Sequence, residues 1–301
     1  MIKLSITLSY IICTKNRLPF LKVLLGNLLT VLSPDEEIVV VDGNSSDGTQ
    51  GYLQNLLDAN KIHQYISEPD KNQAHGWNKA LLMAKGKIIK KLIDDDVHHI
   101  NTIRKCRDFM MANADLDLCI SNHLQSHLIH PDQVSITGRL ENYRDWKAGK
   151  VRSFTFSDVT LLQRRASLSY LGLYDTQFKM MDWEYALRVT YLKAKIAYYT
   201  GYNSLSVATP GNVTSGASPQ LLKYEGAIGM VKYDYAGDNA GISRFSRLKV
   251  WLGNTWHRLK TRQAPVSHPV LPDDAELEKI YASYYQILNE YNNTGTFHFI
   301  Q

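Results

Sequence analysis

Ile38-Val39-Val40-Val41 is an unbroken run of β-branched residues with no position left to face solvent. A run this short, followed at once by Asp42-Gly43, reads as a strand over 37–42 that is buried on both faces. That is the pattern of a parallel sheet covered by helices. The neighbouring segments keep the same rhythm. Residues 6–13 read as a strand, 18–32 as a mostly buried helix closed by Ser33-Pro34, and 46–60 as a second helix. Residues 62–67 form a short strand, 72–85 a helix stopped by Gly86, and 87–93 a strand running into Asp94-Asp95-Asp96. Strands separated by helices predict right-handed βαβ units and an open, mostly parallel α/β sheet.

Beyond Asp115 the rhythm loosens. A strand over 116–121 leads into a polar, His-rich stretch, and strand character returns over 154–162. Residues 164–172 and 180–193 read as helices around a turn at Asp175, and three helical segments follow near 220–236, 243–261 and 274–291. Cys13, Cys106 and Cys119 lack paired spacing, so neither a disulfide framework nor a zinc site is expected. The first apolar run reads as a strand rather than a leader, and no window reaches the roughly 18 to 20 apolar residues that span a bilayer. A cytoplasmic location is the expectation.

The net charge of +5 is local. Residues 239–272 hold six basic residues and no acidic one, and the remainder carries 28 basic against 29 acidic residues. Leu248, Leu252, Trp256 and Leu259 recur at helical spacing there, among basic side chains. A basic amphipathic helix of this kind suits peripheral membrane contact through 243–262, or packing on the acidic helix that begins at Asp273-Asp274. No nucleic-acid module accompanies the charge, so a nucleic-acid partner is not expected.

In open α/β sheets, ligands bind outside the carboxyl ends of the strands. Three polar clusters fall there: Thr14-Lys15-Asn16-Arg17, Asp42-Gly43-Asn44-Ser45 and Asp94-Asp95-Asp96. Adjacent carboxylates after a buried strand repel one another, and a divalent cation with a diphosphate relieves that repulsion through hard oxygen ligands. The competing reading is a set of caps for the helix that follows. Asp42, at a strand end, is placed to accept hydrogen bonds from a nucleoside, or to brace its own turn. Asp47 and Thr49 read as serving the turn and the next helix start. His98-His99 and the His123, His127, His130 group lack zinc spacing and read as surface or acceptor-loop residues.

The order of 11–17 (Ile-Ile-Cys-Thr-Lys-Asn-Arg), 40–49 (Val-Val-Asp-Gly-Asn-Ser-Ser-Asp-Gly-Thr), 67–72 (Ser-Glu-Pro-Asp-Lys-Asn) and the Asp triplet resembles the successive motifs of family two of the glycosyltransferases. The resemblance covers about residues 4–210. It implies the GT-A fold, a Rossmann-like open twisted sheet flanked by helices, here with a C-terminal helical extension. The implied division is a catalytic domain over 1–215 (a nucleotide-sugar half over 1–97 and an acceptor half over 98–215) and an extension over 216–301. The implied reaction is inverting transfer from a UDP-, GDP- or dTDP-sugar to a saccharide or lipid-linked saccharide, as in bacterial surface polysaccharide synthesis.

By the same resemblance, Thr14, Asn16, Arg17, Asp42 and Ser45 face the nucleoside, and Asp70 and Asn78 approach the sugar or phosphates. Asp94 and Asp95 hold the diphosphate, while Asp96 with Asp94 holds Mn²⁺ or Mg²⁺, Asp96 being common to both registers of the acidic motif. In 178–188 the family's Glu-Asp pair opens a helix; this chain has Met181 at the Glu position, which leaves Asp182 as the catalytic base and Glu184 as its fallback. A nucleotidyltransferase is the rival enzyme class, disfavoured by the absence of a glycine run after the first strand. A non-catalytic nucleotide-sugar-binding protein is the other rival, opposed by the intact triplet and Asp182.

Overall fold

The computed structural model describes residues 5–210, 218–235 and 272–301. Four parallel strands form one half of the sheet: β1 (Leu8–Thr14), β2 (Glu36–Asp42), β3 (Gln64–Ser67) and β4 (Ile88–Leu92), in the order β3-β2-β1-β4. Along β1 and β2 the side chains alternate between two cores. Ile11, Val39 and Val41 enter one; Tyr10, Ile12, Ile38 and Val40 enter the other. This is the double burial that the β-branched run required.

Helices α1 (Leu18–Val31), α2 (Thr49–Asp58) and α3 (Gln73–Met83) connect these strands. Local signals set their starts. Asp47 accepts the Thr49 amide at 3.1 Å, and Asn72 accepts the His75 amide at 3.0 Å. Gly86 does more than end a helix. A Cβ there would lie 2.6 Å from the Ser9 backbone nitrogen, so only glycine lets the chain pass β1 this closely.

Past β4, the two-residue β5 (Val97–His98) precedes α4 (Ile100–Ala112). The strand expected to stop at residue 121 runs on, as β6 (Leu118–His127), into a hairpin with β7 (His130–Thr137); α5 (Leu140–Lys147) follows. The polar stretch hid the hairpin because β7 is largely exposed. The strand expected over 154–162 is instead an extended segment, a 3₁₀ turn (Asp158–Thr160) and the short β8 (Leu162–Arg164). The next helix shrinks to a 3₁₀ turn and α6 (Leu168–Leu171), and α7 (Met181–Tyr191) lies close to its expected span. The 13-residue β9 (Ile196–Ala208) is a strand that the expected elements left out. It pairs parallel with β6, antiparallel with β5, and antiparallel with a terminal β10 (Phe299–Ile300). Sheet order is therefore β10-β9-β6-β8-β4-β1-β2-β3, with antiparallel pairs confined to the second half.

Of the C-terminal helices, α8 (Pro219–Tyr233) packs on α7, and α9 (Asp274–Thr294) packs on α1 and β9. Leu277, Tyr281, Tyr284 and Leu288 of α9 share a core with Phe20, Leu124 and Leu205. The segment over 243–262 lies outside the described residues. No described helix is long and apolar enough to cross a membrane.

Candidate active site

β1 and β2 end at one rim in Thr14 and Asp42, and Asp94 follows β4 by two residues. The loop after β1 binds these ends together. Asn16 adopts a φ of 52°, a left-handed conformation that asparagine tolerates. Its backbone N–H donates to Ser45 Oγ at 2.7 Å, and its Oδ1 accepts the Ser46 amide at 2.8 Å. The Asp42 carboxylate is fully buried and accepts the Ser45 amide at 3.0 Å, the Ser67 hydroxyl at 2.6 Å and the Ser45 hydroxyl. Asp42 thus braces the loop, as an acid at a strand end does when its own turn supplies donors.

The same loop reaches the acidic triplet. Thr14 Oγ1 donates to Asp94 at 2.7 Å, Arg17 Nε to Asp94 at 2.9 Å, and Arg17 Nη2 meets Asp95 at 2.5 Å. Arg17 also lies over the Phe20 ring, 4.6 Å from its centroid. From the far side, the Thr209 hydroxyl donates to the Asp95 carboxylate and the Tyr281 hydroxyl of α9 donates to the Asp95 carbonyl at 2.5 Å. Burial pushes the Asp94 carboxyl up to about 6, against the pull of Arg17 and with a further push from Asp95. Burial works against the Arg17 charge too, yet Asp94 and Asp95 outweigh it and hold the guanidinium above its usual range. The expected metal pair was Asp94 and Asp96. Of these, the Asp96 carboxylate accepts the Val207 amide at 2.8 Å, and burial with Asp95 beside it raises it well above the ordinary range. Asp94 and Asp95 are the two that converge on one cation.

Asp70 and Asn78 are likewise engaged. Lys79 Nζ lies 2.8 Å from Asp70. A Cβ on Gly76 would come within 2.6 Å of that carboxylate and 2.4 Å of Cys13 Sγ, so α3 approaches β1 through a glycine. Asn78 holds the Tyr174 backbone at both ends, at 2.9 Å each, and fastens the loop before α7.

Asp182 stands in the first turn of α7, half-buried, on the wall of a 230 Å³ cavity shared with His123, Arg139, Phe156, Ser157 and Trp183. Burial raises its carboxyl to about 6; Asp158 pushes the same way and Lys91 opposes. Glu184 is fully buried elsewhere, paired with Arg188 at 3.0 Å and accepting the Tyr233 hydroxyl. Its oxygens are committed to structure. Of the histidines, His123 lines the cavity, His99 accepts the Thr102 amide at the start of α4, and His98 is buried, its imidazole held down to about 3 by desolvation. Among the described residues, no group of three or more His, Cys, Asp or Glu is arranged to hold a metal ion by itself.

The family model for glycosyl transferase family 2 matches residues 9–171, over half of the chain. The chain belongs to that family, and it is a glycosyltransferase. No curated protein sequence gives a significant match. Among solved structures, residues 1–349 of S. aureus TarS with UDP-GlcNAc give a TM-score of 0.59 at 17% identity, covering 81% of this chain and 70% of that one. A longer S. aureus TarS gives 0.56 at 18% identity, and there the match spans 42% of its length. A Pyrobaculum calidifontis mannosyltransferase, solved with GDP-Man and Mn²⁺, gives 0.52 at 15% identity, covering 96% of this chain and 76% of that one. At these identities the likeness establishes the GT-A fold.

The family motifs led to the loop after β1 and to Asp182, but not to Lys91, Asp158, Thr209 or Tyr281, which complete the surroundings of the acids. A signal existed for Lys91: two lysines in a strand otherwise fit only for burial.

Proposed function

We propose that this chain is an inverting, metal-dependent glycosyltransferase that moves a sugar from a nucleoside-diphosphate donor to a saccharide hydroxyl, with Asp182 as its base. Two observations support this reading: Asp94 and Asp95 pair on a single cation at the strand ends, and Asp182 stands on the wall of a cavity with aromatic lining. Asp94 and Asp95, two hard carboxylates that already share Arg17, would hold Mn²⁺ or Mg²⁺. A divalent ion there would offset charge on the leaving diphosphate.

The chain's own residues do the rest. Thr14 and Arg17 orient the acid pair, and Asn16, Ser45 and Asp42 stiffen the loop against which the nucleoside lies. Asp182, whose carboxyl sits near 6, takes the acceptor hydroxyl proton as that oxygen attacks the anomeric carbon. The bond from that carbon to the diphosphate breaks in the same displacement, which inverts the centre. Phe156, Trp183 and Tyr198 give the cavity the aromatic faces that suit a sugar ring, in keeping with a glycan or lipid-linked saccharide acceptor. The UDP, UDP-GlcNAc and GDP-Man of the structural neighbours make UDP- and GDP-sugars the first donors to try. A thermal-shift screen of UDP-, GDP- and dTDP-sugars, with and without Mn²⁺, tests the reading. Stabilisation by one nucleotide class that needs Mn²⁺ is expected, and no response to any of them would sink it.

A further inference from the structure

β4 carries Lys90 and Lys91 in mid-sheet, 0% and 5% exposed. A buried ammonium is costly unless it is paired. Both lysines reach the same 3₁₀ turn. Lys90 Nζ donates to the Val159 carbonyl, and Lys91 Nζ forms an ion pair with Asp158, itself 4% exposed. Asn203 holds the turn from β9, donating to the Thr160 carbonyl at 2.6 Å. The ion pair is also caged by aromatic rings: Lys91 Nζ lies 4.3 Å from the Trp77 centroid and 5.4 Å from that of Tyr174. Residues 155–157, just before Asp158, line the same cavity as Asp182. The pair is therefore built into the wall behind the base.

Stability alone does not account for it, because well-packed apolar residues usually match or better a buried ion pair. We propose that Lys91 and Asp158 are positioning residues for Asp182, a fixed pair of opposite charges that balances its carboxyl between proton-holding and proton-accepting states. This rests on the reading of Asp182 as the base. The other groups facing Asp182 are the Tyr174 phenol, which borders both Asp158 and Asp182, and His123, Arg139 and Tyr198 across the cavity. From α8, Glu225 accepts the Lys179 and Met180 amides just ahead of it, while Glu184 and Arg188 of its own helix pair with each other. Lys91 and Asp158 bring a buried positive and a buried negative charge to bear on it together.

The test is a ¹³C NMR titration of aspartate carboxyls in the full chain, with the Asp182 signal assigned by its loss in Asp182→Asn. Asp158→Asn leaves Lys91 unopposed and lowers the Asp182 midpoint by roughly one pH unit, whereas Lys91→Met raises it by a similar amount. The double variant, with no unpaired buried charge, brings it back near the wild-type midpoint. Either single variant fixes the sign, so failure of one to fold leaves the other decisive. An unmoved midpoint, or shifts of the same sign in both, overturns the proposal. Nucleoside diphosphate release from whichever donor stabilises the protein separates the two readings. Transfer retained in Asp182→Asn ends the base assignment, while a dead Asp182→Asn with unmoved midpoints ends only the role of the pair.

Discussion

The two acidic centres sit beside cations held in different ways. At the strand ends, Asp94 and Asp95 share an arginine that reaches in from a loop, its side chain 22% exposed. Near Asp182, the cation and its partner are both 6% exposed and fixed in the sheet and an adjoining turn. On the proposed reading the difference suits two tasks. A seat for a charged diphosphate has its cation at the more exposed end of a loop side chain, whereas the charges near a base are fixed in the wall.

The comparison breaks most decisively at Asp182. Asp182→Asn should keep donor-induced thermal stabilisation and lose transfer by about 10²- to 10⁴-fold, the usual worth of a positioned base. Wild-type turnover in that variant would move the base elsewhere, although Glu184 is poorly placed to take over. Next in size, Asp95→Ala should weaken Mn²⁺-dependent binding of a nucleoside diphosphate, measured calorimetrically, by about tenfold or more. Asp96→Ala should instead leave the Val207 amide unpaired and cost about 1–3 kcal/mol of folding stability. Equal loss of binding in both variants would erase the distinction drawn between those neighbours.

Arg17→Ala removes the resident cation, so Mn²⁺ alone, titrated without donor, should bind several-fold more tightly than to the wild type; equal affinity would mean that the seat is not shared. The smallest effect is on stability. The Asp182 carboxyl is raised from 3.8 to about 6 in the folded chain, which therefore binds more protons than the unfolded chain between those values. Stability contributed at this site is present at low pH and falls as pH rises through that window. Asp182→Asn should accordingly raise the melting temperature by roughly 2–4 °C at pH 8 and leave it unchanged at pH 4, for about 1 kcal/mol.

The first hundred residues were legible because β1 and β2 are short, largely apolar runs and the intervening helices carry their own stops or caps. The second half was not. β6 to β9 draw their order from pairing with distant strands, and the exposed β7 leaves a polar sequence that reads as a loop. Site residues divide the same way. Thr14, Asp94 and Asp182 announce themselves through local motifs. Tyr281 meets Asp95 from 186 positions away, and nothing near either residue marks the contact. The bond from the Val207 amide to Asp96 was equally hidden, since it comes from a distant strand. Three identical side chains in a row gave no hint of which one meets β9.

That distant contact changes what the far end of the chain means. Tyr281 is wedged edge-on against Phe20, the ring beneath Arg17, while its hydroxyl secures the peptide of Asp95. Helix α9 is thus a buttress for the acid pair. On the proposed reading, truncating Tyr281 loosens the donor seat from the far end of the chain.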